Sequence, residues 1–394
     1  MQWKKNLVFV CVSVFFLSMA QNLSVPFLPL FLAEELDIKN NLSLWASATY
    51  SVTFLLGAVL APFWGSVSDR YGRKRLISIT GVGLIIVYFS MSFVDTAFQL
   101  LICRLLAGAL AGYMTFSNAL VSTNTPVEKS GYALSMVYSV GSLGFVFGPL
   151  IGGVSATALG YRGTFVLSAV MVVVSVLAIT FIVKEEKFSK TKRKMSLVAG
   201  LKEAFSNKAL VGILFSLLIL QSSITLILPL ISLFVIELDV NSGSASIWAG
   251  VLFSVYGLSS VIGAPLWGKL GEKYGYHKCL LVGAIVGGVF NVLQVFSTSI
   301  LMFAILRFLY GVFAAAIIPS INTLITKNTE PEFRGRAFGL NQSSSEIGRV
   351  VGPNLGGFLA DLTSLRTVFA LNGVLLVIIP ILLLPKLKLQ KNTK

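Results

Sequence analysis

Residues 61–75 read APFWGSVSDRYGRKR, and residues 264–278 read APLWGKLGEKYGYHK. The two stretches lie 203 positions apart and share Ala-Pro, Trp-Gly and a Tyr-Gly step in one register. The register persists on either side. Pro26, Phe31 and Trp45 fall on Pro229, Phe234 and Trp248, and Arg104 with Gly108 falls on Arg307 with Gly311. One position later, at offset 204, Gly148-Pro149 and Gly152-Gly153 fall on Gly352-Pro353 and Gly356-Gly357. So many uncommon residues repeating at one period mean two copies of a single unit.

Each copy is a series of apolar runs broken by short polar or Gly/Pro clusters. Six fall near 7–32, 45–66, 76–94, 97–121, 133–158 and 163–183, and six more near 209–236, 247–268, 278–296, 299–326, 337–360 and 366–385. At about 20 residues per crossing, twelve helices use about 240 residues, which a chain of 394 accommodates with short loops. Only 12% of the residues are charged, against about 25% in soluble domains, and the mean hydropathy is +0.85. A soluble enzyme, a disordered chain and a nucleic-acid-binding domain are excluded, although the net charge is +15. That charge is topogenic. With the N-terminus inside, 25 of the 31 Lys and Arg residues face the cytoplasm, three (Lys39, Arg162, Arg366) lie outside and three (Arg104, Arg307, Arg349) lie within spans. The asymmetry predicts a multi-pass protein of the cell membrane with both termini cytoplasmic.

The expected architecture is all-α: an N-terminal six-helix bundle over 1–183, a cytoplasmic linker over 184–208 and a C-terminal bundle over 209–394. The linker carries eight basic and three acidic residues, and its KTKRK stretch reads as a solvated face near anionic headgroups. Lys4 and Lys5 before an apolar run ending in Ser18-Met19-Ala20 imitate a signal peptide. Pro26 takes part in the repeat, however, so the first run reads as part of the mature fold. Cys11, Cys103 and Cys279 stand singly, which indicates neither a disulfide framework nor a metal site. There is no GxxxxGK[ST] phosphate loop, so no cofactor and no ATP are expected and an ion gradient is left as the energy source.

Several polar groups lie within the spans. Arg104 and Arg307 sit where a central charge costs about 2.5 to 3.5 kcal/mol. At 100° per residue Arg104, Gly108, Thr115, Asn118 and Ser122 share one face of span four, a stripe suited to lining a cavity. The matching face from Arg307 is apolar beyond Gly311. Glu346 is the one acidic residue deep in a span, roughly 14 Å into a 30 Å core. Gln342, Glu346 and Arg349, spaced i, i+4, i+7, share its face. Burial raises a carboxyl pKa and a cation at i+3 lowers it, so two readings stand: a group that binds either a proton or a cationic substrate, or a permanent salt bridge. Asn22, Tyr50, Thr115, Asn118, Tyr138, Gln221, Tyr256, Asn322 and Gln342 are candidate substrate contacts. Such amides, hydroxyls and rings suit a large hydrophobic small molecule with little fixed charge. Each is equally a helix-packing residue.

Gly65–Arg75 resembles the cytoplasmic loop motif of the major facilitator superfamily, with every charged position filled. Two parallel six-helix halves are also that family's architecture. The resemblance implies that Gly65, Asp69, Arg70, Gly72, Arg73 and Lys74 form a conformational latch for alternating access; the plain alternative is a basic topogenic turn. The second copy has Glu272 for the aspartate, and Tyr276 and His277 for two cations, which puts a second latch in doubt. Gly144, Gly148, Pro149, Gly152 and Gly153 resemble the span-five signature of the antiporters. Glycines at spacing four equally serve close helix packing. Arg104 matches the family's span-four arginine, for which the resemblance implies proton transfer; otherwise it snorkels to the interface.

Together these motifs resemble the twelve-helix drug:proton antiporters of the superfamily, and among them a bacterial multidrug exporter type. The resemblance implies a monomer exporting hydrophobic compounds against protons in a lipid bilayer. Glu346, Arg104 and Arg349 are then the candidate proton-coupling residues. Spans one, four and seven lack the acidic residue that many cation exporters carry. A carrier for a specific metabolite, sugar or lipid is the alternative. An enzyme would need a nucleophile with a base or a metal cluster, and the single histidine, His277, falls in a loop.

Overall fold

A computed structural model of the protein describes residues 2–185, 218–238, 242–327 and 334–388. Every regular element among them is helical. With no water in a bilayer core to satisfy exposed amides, a chain this apolar has to bond its backbone within each segment.

Nine described helices are long and apolar enough to cross a membrane. One, Lys129–Ile182, has 54 residues, about 80 Å at 1.5 Å per residue. It turns at Gly160, whose φ is 73°, and so supplies two crossings. Leu365–Ile378 is a shorter apolar helix. Arg334–Leu362 is long enough but carries Glu346 and Arg349. The twelve apolar runs of the sequence are thereby accounted for. The helices are α1 (Gln2–Leu23), α2 (Leu28–Glu34), α3 (Leu42–Tyr71), α4 (Arg73–Met91), α5 (Ala97–Ala109), α6 (Gly112–Asn124) and α7 (Val127–Leu177). They continue as α8 (Leu218–Glu237), α9 (Ser242–Tyr274), α10 (Tyr276–Leu293), α11 (Ile300–Ala314), α12 (Ile317–Lys327), α13 (Arg334–Leu362) and α14 (Leu365–Lys388).

The chain divides into two compact units, Met1–Arg193 with Val240–Ser254, and Lys194–Asp239 with Val255–Lys394. The linker beyond residue 185 lies outside the described residues.

The duplication is visible in three kinds of contact. Trp64 Nε1 donates to the Ala109 carbonyl at 2.7 Å, and Trp267 Nε1 to Val312, 203 positions on, at 2.7 Å. Thr96 caps α5 by accepting from Gln99 N, and Ser299 caps α11 by accepting from Met302 N. Gly72 and Gly275 hold φ of 90° and 95°. Only glycine adopts that backbone without a steric penalty, which explains why the tight turn between α3 and α4, and its copy between α9 and α10, kept this residue.

The core of the first unit is pinned by a closed polar triangle. Tyr113 Oη lies 2.7 Å from Ser13 Oγ and 2.8 Å from Ser175 Oγ, and the two serines are 2.9 Å apart. Spans one, four and six are thereby fixed in register, with each buried hydroxyl satisfied.

Candidate functional site

The loop between α3 and α4 is built around the Gly72 turn. Gly65, Asp69 and Arg70 lie on α3, and the side chains of Asp69 and Arg70 fall outside the described residues. Arg73 is buried. The first amides of α4 need acceptors, and Glu185 supplies them: its Oε1 accepts from Arg73 N at 3.0 Å and its Oε2 from Lys74 N at 3.1 Å. Arg73 Nη1 stands 4.0 Å from the same carboxylate. A carboxylate at a helix N-terminus also meets the positive end of the helix dipole.

Glu185 is itself held in place. Span six ends in a π-helical turn, Ala178–Ile182, after which Asn6 Nδ2 donates to the Lys184 carbonyl at 2.7 Å and Asn6 Oδ1 accepts from Lys184 N at 3.2 Å. Asn124 Nδ2 donates to the same carbonyl at 3.0 Å. The start of the linker is thus tied to spans one and four and to the motif loop. Sequence reasoning missed Glu185, Asn6 and Asn124; the available signal was an acidic residue at the head of a basic linker. At offset 204 the matching position is Leu389.

Arg104 is 4% exposed. Its Nη2 donates to Ser24 Oγ at 2.7 Å, and its Nε has no partner among the described residues. One turn on, a Cβ on Gly108 would collide with the Thr53 carbonyl. The polar residues expected along span four fall on both sides of an interruption in the helix. The helix breaks between Ala109 and Gly112, leaving Arg104 and Gly108 buried and Thr115, Asn118 and Ser122 at least partly exposed. Span ten breaks similarly between Ala314 and Ile317.

The span-five glycines form a packing seam. Cβ atoms on Gly144, Gly148 and Gly152 would run into the carbonyl oxygens of Phe15, Met19 and Leu23 on α1, and one on Gly153 into that of Ser246 on α9. Gly250 on α9 comes equally close to the Pro149 carbonyl, and Ser254 Oγ donates to the Val146 carbonyl at 2.6 Å. The second unit repeats the seam: Gly348, Gly352 and Gly356 on α13 press on the Leu218, Ser222 and Leu226 carbonyls of α8. The motif is therefore a line of backbone-to-backbone contact in each unit.

Glu346 Oε1 accepts from Gln342 Nε2 at 2.7 Å and stands 3.7 Å from Arg349 Nη1. Its side chain is 17% exposed and that of Arg349 40%. The i, i+4, i+7 face thus closes on itself. Asn341 Nδ2 donates to Asn322 Oδ1 at 3.1 Å. Tyr256 stacks on Tyr310 at 5.6 Å, with the Arg307 guanidinium over both rings. Gln221 lies against Gly348, and Asn22 Nδ2 donates to the Ser18 carbonyl at 2.7 Å. Tyr50 packs edge-on against Phe54 at 5.3 Å, and Tyr138 is 75% exposed. Among the described residues no cluster of three or more His, Cys, Asp or Glu could hold a metal.

A second pair of features escaped sequence reasoning. Arg162 contacts Glu35 at 3.3 Å and Asp95 at 3.2 Å and donates to the Ser92 carbonyl at 2.9 Å. Arg366, 204 positions on, contacts Glu237 at 2.7 Å, donates to the Val295 carbonyl and lies over the Phe234 ring. Ser92 and Val295 are again 203 apart. Two arginines that in the sequence are only exceptions to the charge asymmetry prove to be one clamp used twice.

A family model described as Major Facilitator Superfamily matches residues 10–251 and 215–394. The chain is 35% identical over 370 residues to the multidrug resistance protein MdtG of Proteus mirabilis (strain HI4320), covering 93% of this chain and 92% of that one. It is also 35% identical over 378 residues to MdtG of Salmonella schwarzengrund (strain CVM19633), covering 95% and 93%. Among solved structures, the nucleoside transporter NupG superposes with a TM-score of 0.82 at 15% identity, covering 98% of this chain and 100% of that one. A bacterial homologue of the human lysosomal transporter Spinster gives 0.80 at 14%, covering 98% and 97%. At such identities the two structures speak for the fold alone.

Proposed function

The chain belongs to the major facilitator superfamily, and from that premise we propose that it is a proton-coupled exporter of hydrophobic drugs and toxic compounds. The observation that carries this reading is the 35% identity to multidrug resistance proteins over more than nine-tenths of both chains. Transport proceeds by alternating access in a monomer of the cell membrane, with both termini cytoplasmic and protons entering as drug leaves. The latch is the loop from Gly65 to Lys74, with Arg73 and Lys74 docked on Glu185. The glycine seams supply smooth surfaces along which spans one and five, and seven and eleven, can shift without interlocked side chains.

Glu346 with Arg349 in the second unit, and Arg104 in the first, are the candidate proton-coupling residues. An exchanger needs a site that holds either a proton or a substrate, and a carboxylate with one amide donor and a cation at 3.7 Å is able to release that cation when protonated.

Ethidium extrusion from cells expressing the native chain or Glu346→Gln, with and without a protonophore, tests the proposal. Extrusion by the native chain that both the protonophore and the substitution abolish, at equal expression, is the expected result. Extrusion that survives Glu346→Gln moves coupling to Arg104 or Asp69. The absence of extrusion by the native chain favours a carrier for one metabolite.

A further inference from the structure

Arg307 carries a positive charge into the interior of the second unit with no carboxylate paired to it among the described residues. Its side chain is 1% exposed. Nε and Nη1 have no hydrogen-bond partner among those residues, and neither has the hydroxyl of Tyr310, one turn along the same helix. Its guanidinium carbon stands 5.1 Å from the centre of the Tyr256 ring and 5.3 Å from that of Tyr310. The rings are stacked 5.6 Å apart at an interplanar angle of 18°. Ring faces attract a cation, but they leave its N–H donors unmet. A desolvated ion is tolerated when its charge and its hydrogen bonds are both answered. Of the other buried arginines, Arg73 stands 4.0 Å from the Glu185 carboxylate, and Arg104 meets one hydroxyl, that of Ser24, where Arg307 meets only rings.

We propose that Arg307, Tyr310 and Tyr256 form an anion-binding site in the second unit, which takes a single negative charge from an organic carboxylate or an inorganic monoanion. Arg307 supplies the charge and its free N–H donors, the Tyr310 hydroxyl a further donor, and the Tyr256 ring orients the guanidinium from its face. A Cβ on Gly311, the residue after Tyr310, would collide with the Ser259 hydroxyl. Spans eight and ten therefore seal the site, and an anion enters when they part. Occupancy that depends on conformation is what a transported group requires. As a substrate subsite the proposal rests on the export reading above and narrows it to compounds with an acidic group; as a binding site it does not.

The test is equilibrium dialysis of the purified full-length protein in detergent, without any gradient, against labelled 2-naphthoate, its neutral analogue 2-naphthamide, and labelled chloride. The native protein is expected to bind naphthoate at least tenfold more tightly than naphthamide, or to bind chloride. Naphthoate binding assigns the site to carboxylates, and chloride binding alone assigns it to inorganic anions. Either should fall at least tenfold in Arg307→Met, recover in part in Arg307→Lys, and weaken severalfold in Tyr310→Phe. The last variant removes one hydroxyl and serves if Arg307→Met is not monodisperse. Failure of both anions to bind, or binding unchanged in a monodisperse Arg307→Met or in Tyr310→Phe, overturns the site. No transport is measured, so this result stands apart from failure of drug extrusion.

Discussion

The Tyr113 hydroxyl sets the scale at which one atom matters in this molecule. It joins Ser13 on span one to Ser175 on span six, and all three side chains are buried. Net contributions of such bonds are about 0.5 to 1.5 kcal/mol, and orphaned buried partners cost about 1 to 3. Tyr113→Phe leaves the serines bonded to each other and to the Ser13 carbonyl, so a loss of about 1 kcal/mol is expected. The unfolding midpoint of the purified protein should drop by a few degrees while dye extrusion continues. An unchanged midpoint would show that the triangle does not hold the three spans together. Residue roles of this kind are only partly legible in a sequence. Tyr113 is visible as a polar side chain within a span, whereas its partners are two serines among many, 100 positions before it and 62 after it. Glu346 is legible because an acid in a lipid-depth segment stands out by its cost.

Helices are the most legible level, because composition and period alone demand them, and the two seams show what that legibility leaves out. Spacing-four glycines announce close packing, but not against what. The structure supplies the partner: the carbonyl row of α1 for Gly144, Gly148 and Gly152, and of α8 for Gly348, Gly352 and Gly356. Gly152→Ala drives a methyl group into the Leu23 carbonyl, and overpacking costs about 1 to 3 kcal/mol. At Gly131, on the same long helix, a Cβ would meet nothing within 4 Å, so Gly131→Ala should be neutral or stabilise by about 0.5 to 1 kcal/mol through helix propensity. The pair separates packing from propensity. Extrusion rate and unfolding midpoint should both fall for Gly152→Ala, while for Gly131→Ala the rate should hold and the midpoint hold or rise; equal behaviour of the two would remove the seam from the mechanism. The break in span four is not legible, since Leu110-Ala111 carries neither proline nor a polar signal.

At the scale of the whole chain the duplication is faithful at one set of positions and lost at another. Arg162 and Arg366 occupy matching positions, reach matching carbonyls at Ser92 and Val295, and each meet carboxylates at the end of the first span of their unit. The motif loop has kept its Gly72 and Gly275 turns, yet the capping carboxylate Glu185 has an apolar counterpart, Leu389. The first unit thus has a carboxylate anchor that ties residues 184–185 to the loop between α3 and α4, and the second has no acidic residue at that register to make one. A clamp kept in both copies is a requirement of the fold, and an anchor kept in one copy serves a task that only that half performs, which argues for switching. Arg162→Gln and Arg366→Gln should therefore both lower the unfolding midpoint, the first losing two partly exposed charge pairs and the second one, and each a backbone contact worth about 1 kcal/mol. Glu185→Gln keeps an acceptor for one α4 amide but loses the charge. It should alter the rate of dye extrusion severalfold with a smaller change in midpoint, whereas Leu389→Gln should alter neither. Should Glu185→Gln shift the midpoint as far as the clamp variants and leave extrusion untouched, the anchor is structural, and the proposed latch is left to Asp69 and Arg70.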